Sequence, residues 1–480
     1  MADIFISHSS KTQENLQKVG RLVQLLSDRW SVWWDDRLVG RYNQVIPNEI
    51  DLAACMVPIW THAASTSDAV HGELVLARRA GKHIVPARME ECAAPFAFGT
   101  YSDVDFTRWN GEADHPAMLQ LARKLATVLP PSSKPKRPHS IGDNPLELPA
   151  LFMSVSSHET QVEPLPAVQA LRIFGADAVL VSAYDLLPPP RNDKRRAELE
   201  KNRRMTLKEL ERIRRSGGLV LVDSGNYEAS RLQDAHWTPS KFQQALTDVP
   251  YDWVFSFDVM EPSRGWKKAV QQVIDAVEAN RLFASAPVLP IVHAPYTDKH
   301  GHDAKSLPAV VHGVADALAP PMIAVPEREL GRGLMERALT VQRIRQALDK
   351  LPFYQPLHLL GTGNPWSIVV LAAAGADSFD GLEWCRVAVD RETNRLNHFQ
   401  HFDLFTYQRG QAESPVASEV LKDDNEDFNA RATFHNLDYF AQLRDELRAA
   451  AAKGSFEALS ARILGPSHRI LARKMPALFP

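Results

Sequence analysis

The sequence predicts an α/β protein in two parts. The first is a parallel sheet with helices on both faces; the second is a (β/α)8 barrel carrying a helical C-terminal extension. Three observations lead there. Residues 3–128 alternate short apolar runs with amphipathic stretches, residues 130–146 are rich in proline, and the alternation then resumes on a larger scale. About eight strand–helix units follow over roughly 260 residues, the count of a closed barrel.

In the first part, DIFISH (3–8), SVWW (31–34), CMVPIW (55–60) and KHIVPAR (82–88) read as strands. Residues 12–29 have helical spacing, with Leu16, Val19, Val23 and Leu26 on one face. Residues 45–54 and 68–80 also read as helices. The prolines at 130, 131, 135, 138 and 145 exclude a helix or central strand, so residues 130–146 are expected to be an interdomain linker. The barrel is expected over 147–410. Its strand-like runs are ALFMSVS (150–156), AVLVSA (178–183), LVLVDSG (219–225), WVFSFDV (253–259), VLPIVHA (288–294), MIAV (322–325), LHLLGTG (357–363) and DSFDG (377–381). Helix-like stretches at 194–215, 239–247, 265–281 and 334–349 lie between them, and residues 411–480 are expected to be mainly helical. Polar residues gather where the strands end: Asp223, Ser224, Gly225, Asp258, His293, Gly361 and Asp380. That end is the face on which such barrels build sites.

Composition excludes several classes. Among 480 residues, 45% are hydrophobic and 24% charged, too apolar for a chain disordered throughout. A net charge of −3 gives no global attraction to nucleic acid or anionic lipid. Three cysteines cannot build a disulfide framework or a four-cysteine zinc site. No run approaches the roughly 18 apolar residues of a membrane span, and the start, Met-Ala-Asp-Ile-Phe-Ile-Ser, has neither a basic region nor a cleavable apolar run. The expectation is a cytoplasmic protein without membrane contact.

DIFISHS (3–9), SVWWDDRLVG (31–40), SDAVHGELVLARRAGKHIVPARME (67–90) and APFAFGTYSDVDFTRW (94–109) occur in this order. The set resembles the TIR domain family over residues 1–129. The resemblance implies a flavodoxin-like fold and two jobs, self-association and cleavage of the nicotinamide–ribose bond of NAD⁺, which would be substrate. Glu73 matches the family's catalytic glutamate. Breaking an N-glycosidic bond builds positive charge at C1′, and a carboxylate beneath the ribose stabilises it. Trp33, Trp34 and Trp60 are candidates to offer an aromatic face to the dinucleotide. Asp35, Asp36 and Arg37 begin the loop that in this family closes the cleft or joins subunits. Ala69 stands where many members carry Trp.

LVLVDSGNYE (219–228), FSFDVMEP (255–262), HLLGTGNPWSIVVLAAAGADSFDGLEWCR (358–386) and TFHNLDYFAQLRDELRAAAAKGSFEAL (433–459) resemble the tRNA-guanine transglycosylase family. The match implies Asp380 as nucleophile on ribose C1′, Asp223 as general acid/base, and Asp258 reading the base edge. Ser224, Gly225 and Gly331 complete the implied base pocket. Two motifs depart: His293-Ala294-Pro295 replaces Gln-Gly-Gly, and Pro326-Glu327-Arg328 replaces the Gly-Gly-Leu platform, so an altered pocket is expected. The family's zinc uses three cysteines and a histidine. His435 stands at the histidine position, but residues 408–432 contain no cysteine, so no structural zinc is expected.

Together these readings imply an immune-type effector. Its TIR part would consume NAD⁺ and self-associate, and its barrel would recognise a nucleobase, nucleotide or nucleic acid. One alternative is a base-exchange enzyme on tRNA or DNA with the TIR part as docking module; another is a non-catalytic scaffold. HGHD (300–303) with His293 and His312 fits no familiar metal spacing. Residues 191–215 hold eleven Lys or Arg against five Asp or Glu, a pattern that suits either phosphate contacts or a solvated helix.

Overall fold

In the computed structural model, residues 2–9, 12–34, 42–113, 115–158, 160–189, 194–297 and 301–479 are described. They fall into two units, Met1–Pro138 with Asp349–Tyr354, and His139–Leu348 with Gln355–Pro480.

The first unit is built on β1 (Ile4–Ser7), β2 (Val32–Trp34), β3 (Cys55–Trp60), β4 (His83–Ile84), β5 (Ala87–Arg88) and β6 (Val104–Asp105). All pairings are parallel, in the order β2-β1-β3-β5-β6, with β4 also paired to β3. The strands β4 and β5 are one line of chain interrupted around Pro86, whose ring removes a ladder donor. Both faces are covered. Helix Gln13–Ser27 turns Val19, Leu22, Val23 and Leu26 into one core, while Leu16 is 41% exposed. The apolar stripe is therefore rotated from the expected face, with Leu22 inside and Leu16 outside. The other face buries Phe5, Trp60, Val70, Leu74 and Ala77 against one another.

The second unit closes eight parallel strands in sequential order: Ala150–Val155, Ala178–Ser182, Leu219–Asp223, Trp253–Phe255, Val288–Leu289, Ile323–Pro326, Leu357–Leu360 and Ser378–Gly381. The eighth pairs with the first, and a parallel bridge between Ile291 and Ala324 joins the fifth to the sixth. Period-two alternation sends Phe152, Leu180, Leu221, Phe255 and Leu289 into the barrel, and their neighbours toward the helices.

The expected linker differs from its reading. From residue 139 the chain is part of the barrel unit. Ser140–Ile141 pairs antiparallel with Leu146–Glu147, and Ile141, Leu146 and Leu148 pack into the barrel interior. Gly142 has φ +82°, and a Cβ there would stand 2.5 Å from the Trp253 ring. The prolines end the first unit; the apolar residues interleaved after them close the barrel's amino end.

Beyond the eighth strand, a hairpin (Val387–Asp390 with Arg395–His398) leads to the 26-residue helix Phe428–Lys453. His435 is fully buried on that helix. Its Nε2 donates to the Val389 carbonyl at 2.8 Å, its ring packs on Phe402, and burial holds it neutral, with a pKa lowered to about 4. With no cysteine in 408–432, these residues do not fit the family's zinc. An ion pair joins the segments instead. Arg391 donates to Asp438 at 2.9 Å, both nearly inaccessible, and to the His435 carbonyl; Asp438 also accepts from the backbone of Glu413 and Ser414. Breaking one side of a buried pair costs about 3 kcal/mol. Asp438→Asn should lower the stability of the barrel unit by about that much in urea unfolding, while EDTA leaves the wild-type midpoint in place.

Candidate functional site

Eight strands ending on one rim bring together side chains far apart in sequence. The rim encloses a cavity of about 350 Å³, within the range of small-ligand pockets. Asp223 ends the third strand, and Asp258 and His293 follow the fourth and fifth. Glu327 follows the sixth, Gly361 the seventh, and Asp380 lies in the eighth. The barrel brings Asp223, Ser224, Asp258 and Asp380 to one cavity; Gly225 and Gly331 support it without lining it.

Asp380 is fixed through both oxygens. Its Oδ2 accepts from Ser154 Oγ at 2.8 Å, and its Oδ1 accepts from the Gly361 N–H at 2.8 Å and from His358 Nε2 at 3.2 Å. His358 is fully buried in the barrel interior between Phe152 and Phe255, and its Nδ1 meets Ser378 Oγ. Three donors on two oxygens hold the side chain in one orientation.

Asp223 is different. Its Oδ2 accepts from the Gly225 N–H at 3.1 Å. Burial, then the negative charges of Glu228 and Asp258, push its pKa well above the ordinary carboxylate range, so it is a neutral acid able to give a proton. Gly225 makes the turn possible: φ is +76°, and a Cβ would meet Tyr184 N at 2.8 Å. Gly331, at φ +153°, has no room for a side chain beside Glu336.

Asp258 is clamped. Its Oδ1 accepts from Ser224 Oγ at 2.6 Å and Asn226 Nδ2 at 2.7 Å, and its Oδ2 from His293 Nε2 at 2.6 Å. The other His293 nitrogen, Nδ1, donates to Glu329 Oε1 at 2.9 Å, and Glu329 Oε2 accepts from the Ala294 N–H. Burial alone would discharge this imidazole. The two carboxylates outweigh it and raise its pKa to about 10, and the same contacts pull Asp258 down against its own burial. The departure from Gln-Gly-Gly is thus a buried imidazolium between two acids. In the other altered motif, Pro326 has no N–H, and Glu327 Oε1 is taken by Arg337 at 2.7 Å. At the mouth, Arg328 lies over the Tyr227 ring at 4.8 Å, and Arg386 pairs with Glu383.

In the first unit, Glu73 lies on the second turn of helix Asp68–Arg79. It sits on the inward stripe with Val70, Leu74 and Ala77. It is 8% exposed and accepts from Ser7 Oγ at 2.6 Å, at the carboxyl end of β1. Trp60 is a correction: at 1% exposure inside the core, its indole has no face for a ligand. Trp33 stacks on Phe5 at 4.7 Å, and Trp34, half-buried, lies tilted against the His8 ring with centroids 5.7 Å apart. Asp35, Asp36, Arg37 and His300 lie outside the described residues. Among the described residues, no cluster of three or more His, Cys, Asp or Glu could hold a metal ion, and no helix is long and apolar enough to cross a membrane. On helix Arg196–Arg215, Arg196, Arg212 and Arg215 pair with glutamates of the same helix, and Arg214 with Asp252.

Sequence reasoning did not single out Glu228, Glu329 or His358. Glu228 stands within the quoted LVLVDSGNYE, and its Oε1 accepts from Ser156 Oγ at 2.9 Å. The alternation of Leu357 and Leu359 around His358 is the one sequence signal that its ring faces the barrel interior.

Comparison with known proteins agrees with both parts. Residues 4–122 match the TIR domain model. The chain is 22% identical over 316 residues to a tRNA-guanine(15) transglycosylase of Haloferax volcanii, covering 62% of this chain and 56% of that protein. To the enzyme of that name from Methanopyrus kandleri it is 24% identical over 328 residues, covering 64% and 65%. To a queuine tRNA-ribosyltransferase of Thioalkalivibrio sulfidiphilus it is 29% identical over 159 residues, covering 30% and 41%. The chain thus spans between about 40% and 65% of the length of these curated relatives. It combines a TIR domain with a transglycosylase-like barrel.

The clamp has a pH signature. His293 binds its proton to about pH 10 when folded, against 6.5 ordinarily. Its stabilisation is complete below pH 6.5 and is lost as pH rises toward 10. Urea midpoints measured across that interval should fall in the wild type, and the fall should be smaller in His293→Gln.

Proposed function

We propose that the TIR domain cleaves NAD⁺ at the nicotinamide–ribose bond, and that the barrel is a recognition unit for a nucleobase, nucleotide or nucleic acid that regulates it. The observation that carries this reading is the Glu73 carboxylate, withdrawn from water on an apolar helix stripe and oriented by Ser7 at the carboxyl edge of a parallel sheet. Doubly wound sheets bind ligands at that edge. Holding a carboxylate in such surroundings costs stability, which a purely structural position would avoid by an apolar residue.

The chemistry asks little more of the protein. In NAD⁺ the leaving nicotinamide is a pyridinium. It departs neutral with the bond's electron pair, needing no proton, and the deficit falls on C1′. A fixed carboxylate in a poorly solvated site lowers the energy of that cation. Capture by water gives ADP-ribose; capture by the molecule's own adenine gives a cyclic product. Self-association through the TIR domain would make turnover rise more than linearly with protein concentration.

A second reading, base exchange on tRNA or DNA with the TIR domain as docking module, is favoured by one observation: Asp380 is held by three donors in the cavity that also holds the neutral acid Asp223. For the first reading, the full-length protein is incubated with NAD⁺ at rising protein concentration, and nicotinamide and ADP-ribose products are read by mass spectrometry. Glu73→Gln should lower cleavage by about 100-fold or more. NAD⁺ left intact by the wild type at every concentration would refute the proposal.

A further inference from the structure

The barrel cavity contains a group that neither reading uses. Glu228 is 6% exposed and lines the cavity with Asp223 and Asp380. Ser156 donates to its Oε1, while its Oε2 is buried without a hydrogen-bond partner. A buried carboxylate oxygen left unmatched is costly unless a ligand or water completes it.

The groups that could grip a free base are already engaged. Asp258 is occupied by Ser224, Asn226 and His293; both His293 nitrogens face acids; Glu327 is turned to Arg337; Pro326 has no donor. A nucleoside can still be held by its sugar at the acidic rim and by its base against Tyr227. A base alone loses the sugar contacts and finds few partners, so it competes poorly with water for a ribosyl group on the enzyme. We infer that the barrel is an N-ribosyl hydrolase in which water, activated by Glu228, replaces an incoming base as acceptor. The inference rests on the second reading above in two respects, that Asp380 meets C1′ and that Asp223 supplies the leaving base's proton.

The steps balance. An Asp380 oxygen bonds C1′ as the C1′–N bond breaks; the electron pair leaves with the base, which takes the proton of Asp223. Water then gives a proton to Glu228 as its oxygen bonds C1′. The C1′–Asp380 bond breaks, and its electrons return to the carboxylate. The proton on Glu228 passes to Asp223. The sum is a nucleoside unit plus water, giving a free base and a sugar with a free anomeric hydroxyl.

The test uses the full-length protein with each of the four ribonucleoside 5′-monophosphates and, separately, a mixed-sequence RNA oligonucleotide, with radiolabelled free bases present. The two arms distinguish free from polymeric substrate. Expected is release of base matched one-to-one by new reducing ends, with no label entering the substrate. Asp380→Asn should lower release by about 100-fold or more. Glu228→Gln should release about one base per enzyme and then stall, with a ribosyl adduct on the Asp380 peptide in mass spectra. Its thermal midpoint should match the wild type; should it unfold, Glu228→Asp replaces it, expected to slow the second step. Label entering the substrate without new reducing ends would overturn water as acceptor and leave base exchange standing. No release from any substrate would overturn both. Full turnover by Glu228→Gln would remove that residue from the mechanism.

Discussion

Mutual repulsion among carboxylates on one barrel rim is the constraint that organises this molecule's second unit. Asp223, Glu228, Asp258, Glu327, Asp380 and Glu383 all line one cavity, against His293, Arg328 and Arg386. In surroundings less polar than water such charges repel strongly and shed their hydration at high cost. Five of the six find relief, in four different ways. Glu383 and Glu327 take arginines, Asp380 takes Ser154, His358 and Gly361 as donors, Asp258 shares an imidazolium with Glu329, and Asp223 keeps its proton. The site's chemical inventory of one anchored aspartate, one neutral acid and one unmatched glutamate oxygen follows from that division. The space it needs is also built in: at Gly363 any Cβ would stand 1.5 Å from Glu383 Oε2.

The first unit repeats the theme on a smaller scale. Helix Asp68–Arg79 gives one position of its inward stripe to a glutamate and leaves the remaining contacts to Val70, Leu74 and Ala77. The Ser7 hydroxyl on β1 donates to the carboxylate. Both units therefore place acids where apolar packing would be more stable, at the carboxyl ends of parallel strands, where backbone ends and helix starts can offer hydrogen bonds.

Much of this was readable from residues alone, and the failures have physical causes. Strand–helix alternation and strand-end polar residues identified the barrel and its rim because period-two and helical spacing survive without tertiary information. The helix at residues 13–27 kept its length but turned its face, since Leu16 and Leu22 both fit an apolar stripe and only the packed sheet chooses between them. Trp60 was misassigned because an indole serves a core and a ligand equally well in sequence. The stretch from 139 to 147 was hidden by neighbouring prolines, whose composition masked Ile141 and Leu146. The His293 clamp could not be read, because its partners Asp258 and Glu329 lie 35 and 36 residues away on different strand ends.

The hairpin beneath the barrel has a consequence of its own. With Ile141, Leu146 and Leu148 acting as a stopper at the amino end, traffic through the cavity is confined to the rim. Arrival and departure then share one doorway, so whatever lies deepest exits last. Tyr227 and Arg328 line the cavity at that threshold, so any molecule it holds would pass them both on the way in and on the way out.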